Sequence, residues 1–451
     1  MENKTHQKYG LPTAISMVVG TVIGSGIFFK ASDVLHNNGG NMIKSILTVI
    51  TVGLVMLVCA FAFSILASKI DKVNGMVDYA ESAGGPLYAY VVGWFAVSIF
   101  YPTITSCLSW ISANYIIYLF KINIGWWFHY VLAAALLVLS AAFNILSPKI
   151  SGMFQVSTTV IKLVPILIMA VVGTAVGLIN GTTVSNLSSS FASQSGEGGG
   201  LFAAIVAFAF AYEGWIFATT INSEIKDSKK NLPRALFLGA IIIISVYVLY
   251  FFGIMGALST EEIIEAGDEL PRIAFSAILG SEVFGTIAYV FIIISCIGTM
   301  NGLVLATSRG MYSLAVRGNG ICPSFFSRVN KKTDMPIPSA ILGIITCLVW
   351  LSQWQLGFIQ GFLPAFLSFE NDELPIITFY ASCIPVFIYI MKTGKDLGVF
   401  KRFIIPSLAS VACVFMVFCA FYSYKIEAVY YLIVFSVIML FGLLFYKRKA
   451  K

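Results

Sequence analysis

Residues 18–29 read Val18-Val19-Gly20-Thr21-Val22-Ile23-Gly24-Ser25-Gly26-Ile27-Phe28-Phe29, and the three glycines inside this apolar run decide how the whole chain is read. A bilayer core takes roughly 20 apolar residues per helical span. The stretch 11–29 is long enough to cross, yet glycine at its centre lets the backbone leave the helix. A second run, Ala207-Phe208-Ala209-Phe210-Ala211-Tyr212-Glu213-Gly214-Trp215-Ile216-Phe217, has Glu213-Gly214 at its own centre. Freed N–H and C=O groups survive at membrane depth only where protein, water or a ligand satisfies them. Two interrupted spans at matching places therefore point to a binding site at the helix breaks. Gly20 and Gly24 also have the small-xxx-small spacing of close helix packing. That spacing would account for the first run alone, and the matching interruption in the second favours a site.

The rest of the chain fits this frame. It has 451 residues, 58% hydrophobic and only 11% charged, where soluble domains run at about 25% charged. Twelve apolar stretches of spanning length occupy most of it: 11–29, 43–66, 87–119, 124–143, 153–179, 201–221, 235–257, 280–306, 337–353, 374–392, 403–421 and 428–446. No room is left for a soluble domain. The first stretch follows Lys4 and Lys8 as a signal peptide would, but no small-residue cleavage site follows it, so it reads as a retained helix. Lys and Arg gather in alternate connections (Lys69 and Lys72, Lys226 to Arg234, Arg309 to Lys332, Lys392 to Arg402, Lys447 to Lys451). Acids such as Glu261, Glu262, Glu265, Asp268, Glu370, Asp372 and Glu373 mark the others. This positive-inside bias puts both termini in the cytoplasm, and it accounts for the net charge of +7 without nucleic acid. The eight cysteines lie mostly in apolar spans, without metal-ligand spacing, and read as small packing residues.

Asn180 to Gly200, rich in Ser, Gly and Asn, separates five spans from the next five. Five is odd, so the sixth span runs opposite to the first, and the second block becomes an upside-down counterpart of the first. The expected division is 1–179, a connection 180–200, 201–392, and a pair of C-terminal helices in 393–451. The halves share no convincing sequence identity, so this symmetry comes from topology alone. Inverted repeats are a ground plan of secondary transporters, with the solute near the midplane. A channel would need charged rings or a filter loop. A membrane enzyme would need a buried His cluster or a nucleophile elbow, and no cofactor or metal motif is present.

The chain resembles the amino acid–polyamine–organocation superfamily, and within it the L-type neutral amino acid transporters. The resemblance is carried by Gly20 to Phe28, by Phe210-Ala211-Tyr212-Glu213-Gly214-Trp215, and by Glu224 with Asn231-Leu232-Pro233-Arg234-Ala235. Arg309 with Tyr312, and Pro323 with Phe326, add to it. It covers about residues 10–392, and the last two spans are less diagnostic. It implies an all-α membrane protein of twelve transmembrane helices. These would form a LeuT-like five-plus-five inverted repeat plus two C-terminal helices, with the first and sixth spans discontinuous. It further implies that a solute carboxylate docks on the amides of Gly24, Ser25 and Gly26, and its ammonium on carbonyls of Val22, Phe210 and Glu213. Helix ends at a break suit such a zwitterion, because unpaired N–H groups carry partial positive charge and unpaired C=O groups the opposite. Phe210 stands where the family has an aromatic gate. Its position alone reads equally well as core packing.

Two departures bear on partners and substrate. Vertebrate members carry a cysteine between the third and fourth spans for a disulfide-linked heavy chain. Here that connection, Lys121 to Ile124, has none, so no such partner is expected and the chain reads as a prokaryotic inner-membrane protein. Glu213 stands where several relatives have glycine or another acid, which leaves room for a cationic substrate or a proton role.

Ionisable residues inside a membrane are costly and mark function by default. Away from span ends, two lie near mid-depth: Glu213 and Lys162, the latter in Thr158-Thr159-Val160-Ile161-Lys162-Leu163-Val164-Pro165-Ile166. They could neutralise each other as a buried pair. The resemblance implies another role, in which the Lys162 ammonium replaces a bound sodium ion and bridges the first span to the eighth. Ser295 and Thr299 lie there one turn apart on one face. Tyr247 is a candidate hydroxyl partner, or a packing residue. The resulting expectation is a sodium-independent exchanger of neutral L-amino acids working by alternating access. Glycine at the floor of the break favours small ones such as alanine, serine, threonine and cysteine. The alternative is a cationic amino acid or polyamine carrier, with proton coupling, if Glu213 faces the solute.

Overall fold

The computed structural model describes residues 10–70, 76–192, 200–215 and 225–447, which are helical throughout with no β-strand among them. Ten helices are long and apolar enough to cross a bilayer, and α1 (Leu11–Val22) with α2 (Gly26–Asn37) forms an eleventh crossing bent by 52°. The others are α3 (Met42–Ala67), α4 (Met76–Leu119), α5 (Trp126–Leu146), α6 (Ile150–Ile179), α9 (Ser228–Ala257), α12 (Glu282–Ala315), α13 (Ile337–Ile359), α14 (Leu374–Thr393), α15 (Phe400–Tyr424) and α16 (Ile426–Leu443). The chain is a multi-pass membrane protein. Shorter helices complete the order: α7 (Thr182–Ala192), α8 (Gly200–Ala209), α10 (Thr260–Ala266) and α11 (Leu270–Leu279). The stretch 201–221 is described as α8, a tight turn at Phe210–Tyr212 and residues 213–215. Residues 216–221 lie outside the described residues, as does Glu224.

Local chemistry sets the boundaries. Pro12 sits in the first turn of α1, where its missing N–H costs nothing because that turn has no acceptors for it. At the other end Ile23 turns extended, with ψ of 95°, and the helix restarts only at Gly26. The connection 180–200 holds more order than its composition suggests. Within α7, the Asn186 amide donates to the carbonyls of Met255 and Leu258 at 2.6 and 2.9 Å, and the Ser190 hydroxyl accepts from the Met42 amide at 2.8 Å. These buried bonds give a Ser-rich helix the tertiary partners it needs.

The helices gather into two compact units that do not follow chain order. The first contains residues 1–85, 163–285 and 377–423, and the second residues 86–162, 286–376 and 424–451. Two of the five passages of the chain from one unit to the other fall at weak points in helices. Gly85 has φ of 77° and precedes Pro86, a combination a regular helix cannot hold. At Lys162 the helix turns beside Pro165, whose missing N–H leaves the Ile161 carbonyl without its usual donor.

In the first unit the core is aromatic. Phe208 meets Tyr212, Tyr247 and Phe251 with ring centroids 5.4, 5.9 and 5.4 Å apart, distances at which edge-on rings attract beyond their burial. In the second, a buried polar network joins α5, α6 and α12. The Asn144 amide donates to Asn301 Oδ1 at 2.9 Å, Asn301 donates to Ser151 Oγ at 2.8 Å, and Ser151 donates to Asn144 Oδ1 at 2.7 Å. Interhelical polar contacts of this kind contribute about 0.6 kcal/mol each in a bilayer, and they fix register more than they add stability.

Candidate functional site

Within the first unit the two interruptions lie against each other. A methyl group on Gly26 would come within 2.9 Å of Ala211 Cα and 3.1 Å of Phe210 Cδ1. A methyl on Gly214 would come within 2.5 Å of the Thr21 carbonyl oxygen and 3.5 Å of Val22 Cα. Each break thus presents a glycine to the backbone of the other, at distances no Cβ tolerates. Gly214 also has φ of 111°, which side-chain-bearing residues rarely adopt. The contact is reciprocal, so the two breaks form one structure.

Tyr247 of α9 ties them together. Its hydroxyl donates to the Ala211 carbonyl at 2.8 Å and approaches the Val22 carbonyl at 3.3 Å. It also accepts from the Gly24 amide. The ring is fully buried and packs at a tilt against Tyr212, with centroids 5.0 Å apart. The Tyr212 hydroxyl in turn reaches the Val49 carbonyl at 3.0 Å. The structure therefore brings Val22, Gly24, Gly26, Phe210 and Tyr247 to one place. Ser25 caps the restart of the helix, and its Oγ is buried with no hydrogen-bond partner among the described residues. Phe28 N–H bonds the Ser25 carbonyl at 3.0 Å, leaving the amides just before it at the positive end of α2.

Phe210 is 7% exposed and meets Phe29 edge-on with centroids 5.2 Å apart. Glu213 ends the tight turn, its N–H bonded to the Phe210 carbonyl at 3.2 Å. Both carboxylate oxygens are buried, no side chain among the described residues bonds them, and the Gly214 amide lies beside them. Trp215 beyond it packs on Phe63 at 5.4 Å.

Phe29 and its neighbour Lys30 escaped the sequence reading, which closed the first span at residue 29. Lys30 is 4% exposed, pairs with Asp33 at 3.2 Å and lies 5.8 Å from the Phe29 ring centroid. Asp372 and Glu373, read as acids of an outer connection, are buried in the second unit, where Tyr424 donates to the Glu373 carboxylate.

In the second unit, α6 and α12 pack antiparallel. A methyl on Gly302 would meet Gln155 Nε2 at 2.8 Å, and one on Gly298 would meet Thr158 Oγ1 at 2.3 Å. Lys162 lies one turn beyond Thr158 on α6, and Ser295 precedes Gly298 on α12. Both are buried, at 5% and 1% exposure. The Ser295 Oγ has no hydrogen-bond partner among the described residues, and Thr299 Oγ1 donates to the Ser295 carbonyl at 3.0 Å. Lys162, Ser295 and Thr299 thus belong to the second unit, while Tyr247 ties the breaks in the first. Among the described residues no cluster of three His, Cys, Asp or Glu could hold a metal.

The comparisons with known proteins speak to the same architecture. The family model for amino acid permeases matches residues 9–444. The serine/threonine exchanger SteT of Bacillus subtilis (strain 168) is 30% identical over 316 residues, covering 70% of each chain. The human cystine/glutamate transporter is 28% identical over 423 residues, 92% of this chain and 81% of its own. The human large neutral amino acids transporter small subunit 2 is 28% identical over 356 residues, 76% of this chain and 64% of its own. A match running almost from end to end, over a fold of membrane-crossing helices with one span broken at its glycines, makes this chain a member of the amino acid permease family and an amino acid transporter.

Proposed function

We propose that the chain exchanges neutral L-amino acids, small ones in preference, by alternating access and without sodium. The carrying observation is the pair of clasped breaks. The restart of α2 leaves N–H groups at its positive end, and the helix end at Val22 and the tight turn at Phe210 lie beside it. A carboxylate suits the first and an ammonium the second. On this reading Gly24, Ser25 and Gly26 hold the carboxylate, and Val22, Phe210 and Glu213 hold the ammonium through their carbonyls. Phe210, edge-on to Phe29, closes over the solute. The serine/threonine exchange that names one relative supports a small side chain on the solute.

The reading extends to the rest of the chain. Twelve spans in two inverted sets of five, with two added helices and both termini in the cytoplasm of a prokaryote, form its frame. The unit boundaries support it. Spans one, two, six and seven of that scheme belong to the first unit, and spans three, four, eight and nine belong to the second, apart from residues 280–285. Corresponding members of the two sets thus have the same fate. Lys162 supplies a fixed positive charge where a sodium ion would otherwise be required. No disulfide-linked heavy chain enters this scheme.

Counterflow in proteoliposomes tests the proposal. Vesicles loaded with unlabelled serine should take up labelled serine, threonine and alanine equally well in sodium and in choline. Exchange confined to arginine or putrescine would instead support the second reading, a cationic amino acid or polyamine carrier with proton coupling. The buried carboxylate of Glu213, which no side chain among the described residues pairs, is what favours that alternative.

A further inference from the structure

A cavity of about 520 Å³ lies in the second unit among α4, α12, α13 and α16. It contains none of the residues of the breaks and none of Lys162, Ser295 and Thr299. Its volume is that of a ligand pocket, and its wall is mainly hydrocarbon, with Val97, Met311, Leu342, Trp94, Trp350 and Phe441 prominent. Six polar side chains reach the wall, and each is already engaged. Ser98, Thr307, Thr346 and Ser352 donate to the carbonyls of Trp94, Leu303, Leu342 and Leu348 at 2.6 to 2.9 Å. Ser339 accepts from the Tyr312 amide at 3.0 Å. The Gln353 amide donates to the carbonyls of Leu367 and Phe369 and accepts from Asn371. The indole N–H groups of Trp94 and Trp350 are spent on the carbonyls of Ile438 and Ser98. A zwitterion entering here would lose its water and gain no partner. The occupant is a hydrocarbon.

The cavity opens sideways into the bilayer. Val349 and Phe441 line it and are 61% and 51% exposed, on membrane-crossing helices. Along α13 it runs from Ser339 to Gln353, roughly 21 Å at 1.5 Å per residue. That exceeds the roughly 15 Å of hydrocarbon in one leaflet, so an extended acyl chain fits lengthwise.

Charge identifies the headgroup. At the Ser339 end, Met311 and Ile321 lead into the connection 316–336, which carries Arg317, Arg328, Lys331 and Lys332 against the single acid Asp334. Lys447 joins them, because its N–H bonds Asn319 Oδ1 at 2.9 Å while Gly320 N–H bonds the Phe445 carbonyl at 3.2 Å. Arg328, Lys331, Lys332 and Lys447 are all exposed. Basic clusters beside a span attract anionic headgroups. We propose that this cavity binds one acyl chain of an anionic phospholipid, with the headgroup phosphate at Arg328, Lys331, Lys332 and Lys447.

Bromine on an acyl chain quenches a tryptophan it touches, and Trp94 and Trp350 line the cavity. The full chain would be reconstituted in nanodiscs of phosphatidylcholine containing rising fractions of acyl-brominated phosphatidylglycerol or acyl-brominated phosphatidylcholine. Trp94→Phe and Trp350→Phe variants assign the cavity's share of the emission. That share should quench at lower fractions of the glycerol lipid than of the choline lipid. Each of Arg328→Gln, Lys331→Gln and Lys332→Gln should weaken this preference about fivefold, which corresponds to roughly 1 kcal/mol per charge. Thr346→Phe fills the cavity and should abolish the quenching by both lipids, with amino acid exchange retained as the check on folding. Val349→Phe at the mouth replaces it if that variant does not fold. Equal quenching by the two lipids, unmoved by the charge variants, would reduce the cavity to ordinary lipid contact and overturn the proposal. Absence of quenching together with a dimer in the nanodisc would assign the groove to a second copy and overturn it equally.

Discussion

Replacing Gly26 by alanine tests the clasped breaks with a single methyl group. The new Cβ would stand 2.9 Å from Ala211 Cα, where ordinary contact begins at 3.4 Å, so that backbone must recede by about 0.5 Å. The Phe210 ring can swing aside. Ala211 cannot do so cheaply, because the Tyr247 hydroxyl holds its carbonyl at 2.8 Å. Overpacking of this kind costs about 1–3 kcal/mol, which corresponds to roughly a 5- to 150-fold change in an equilibrium or rate. Gly214→Ala should cost more, since its Cβ meets the Thr21 oxygen at 2.5 Å and its φ of 111° is strained for any side chain. Gly152 in α6 is the control, having nothing within 4 Å of an added Cβ. There alanine should stabilise the helix by about 0.5–1 kcal/mol. The measurements are serine counterflow per reconstituted molecule and thermal unfolding in detergent. Gly26→Ala should lose most of its exchange while remaining monodisperse. If it matches Gly152→Ala in both rate and melting temperature, the breaks do not work as one structure and the proposed site is misplaced.

Tyr247→Phe removes one hydroxyl from the carbonyls of Ala211 and Val22, and should lower thermal stability by about 1–3 kcal/mol; no loss of melting temperature would leave the tie without force. Phe210→Ala should slow exchange while leaving the amount of inserted protein unchanged, and equal uptake per molecule would reduce Phe210 to packing. Glu213→Gln should leave neutral amino acid exchange intact, whereas selective loss of arginine or putrescine transport would favour the cationic reading. Wild-type exchange should be the same in sodium and in choline, and Lys162→Ala should change the apparent affinity by about 1–3 kcal/mol, measured from each face of oriented vesicles. Sodium stimulation of the wild type, or an alanine variant identical on both faces, refutes the role given to Lys162.

Much of this architecture is legible in hydropathy, because a bilayer rewards long apolar helices and little else. The errors come where burial contradicts composition. The first span seemed to end at Phe29, because Lys30 and Asp33 lower the hydropathy there. The helix continues to Asn37 because Lys30 is covered and paired with Asp33 one turn on. The connection after Ile179 is rich in serine and asparagine, yet Asn186 and Ser190 spend those polar groups on buried partners. In both places a polar side chain found a partner that sequence order does not display.

The site divides along the same line. Glycines and a Glu-Gly pair announced the breaks, because backbone that leaves a helix inside a membrane has few chemical causes. Their mutual contact could not be announced in that way. It rests on what Gly26 and Gly214 lack, and an absent Cβ carries no information about which backbone fills its place. Tyr247 shows the same limit. A tyrosine in an apolar span advertises one hydroxyl in need of partners, and carbonyls freed by a break are as suitable as an ammonium. The structure resolves the choice because Ala211 and Val22 are both within its reach. Lys162 announced a costly charge at mid-depth in the same way. In each case the chemistry of the residue was readable beforehand, and the partners of Tyr247, Gly26 and Gly214 followed only from the packing of the two breaks.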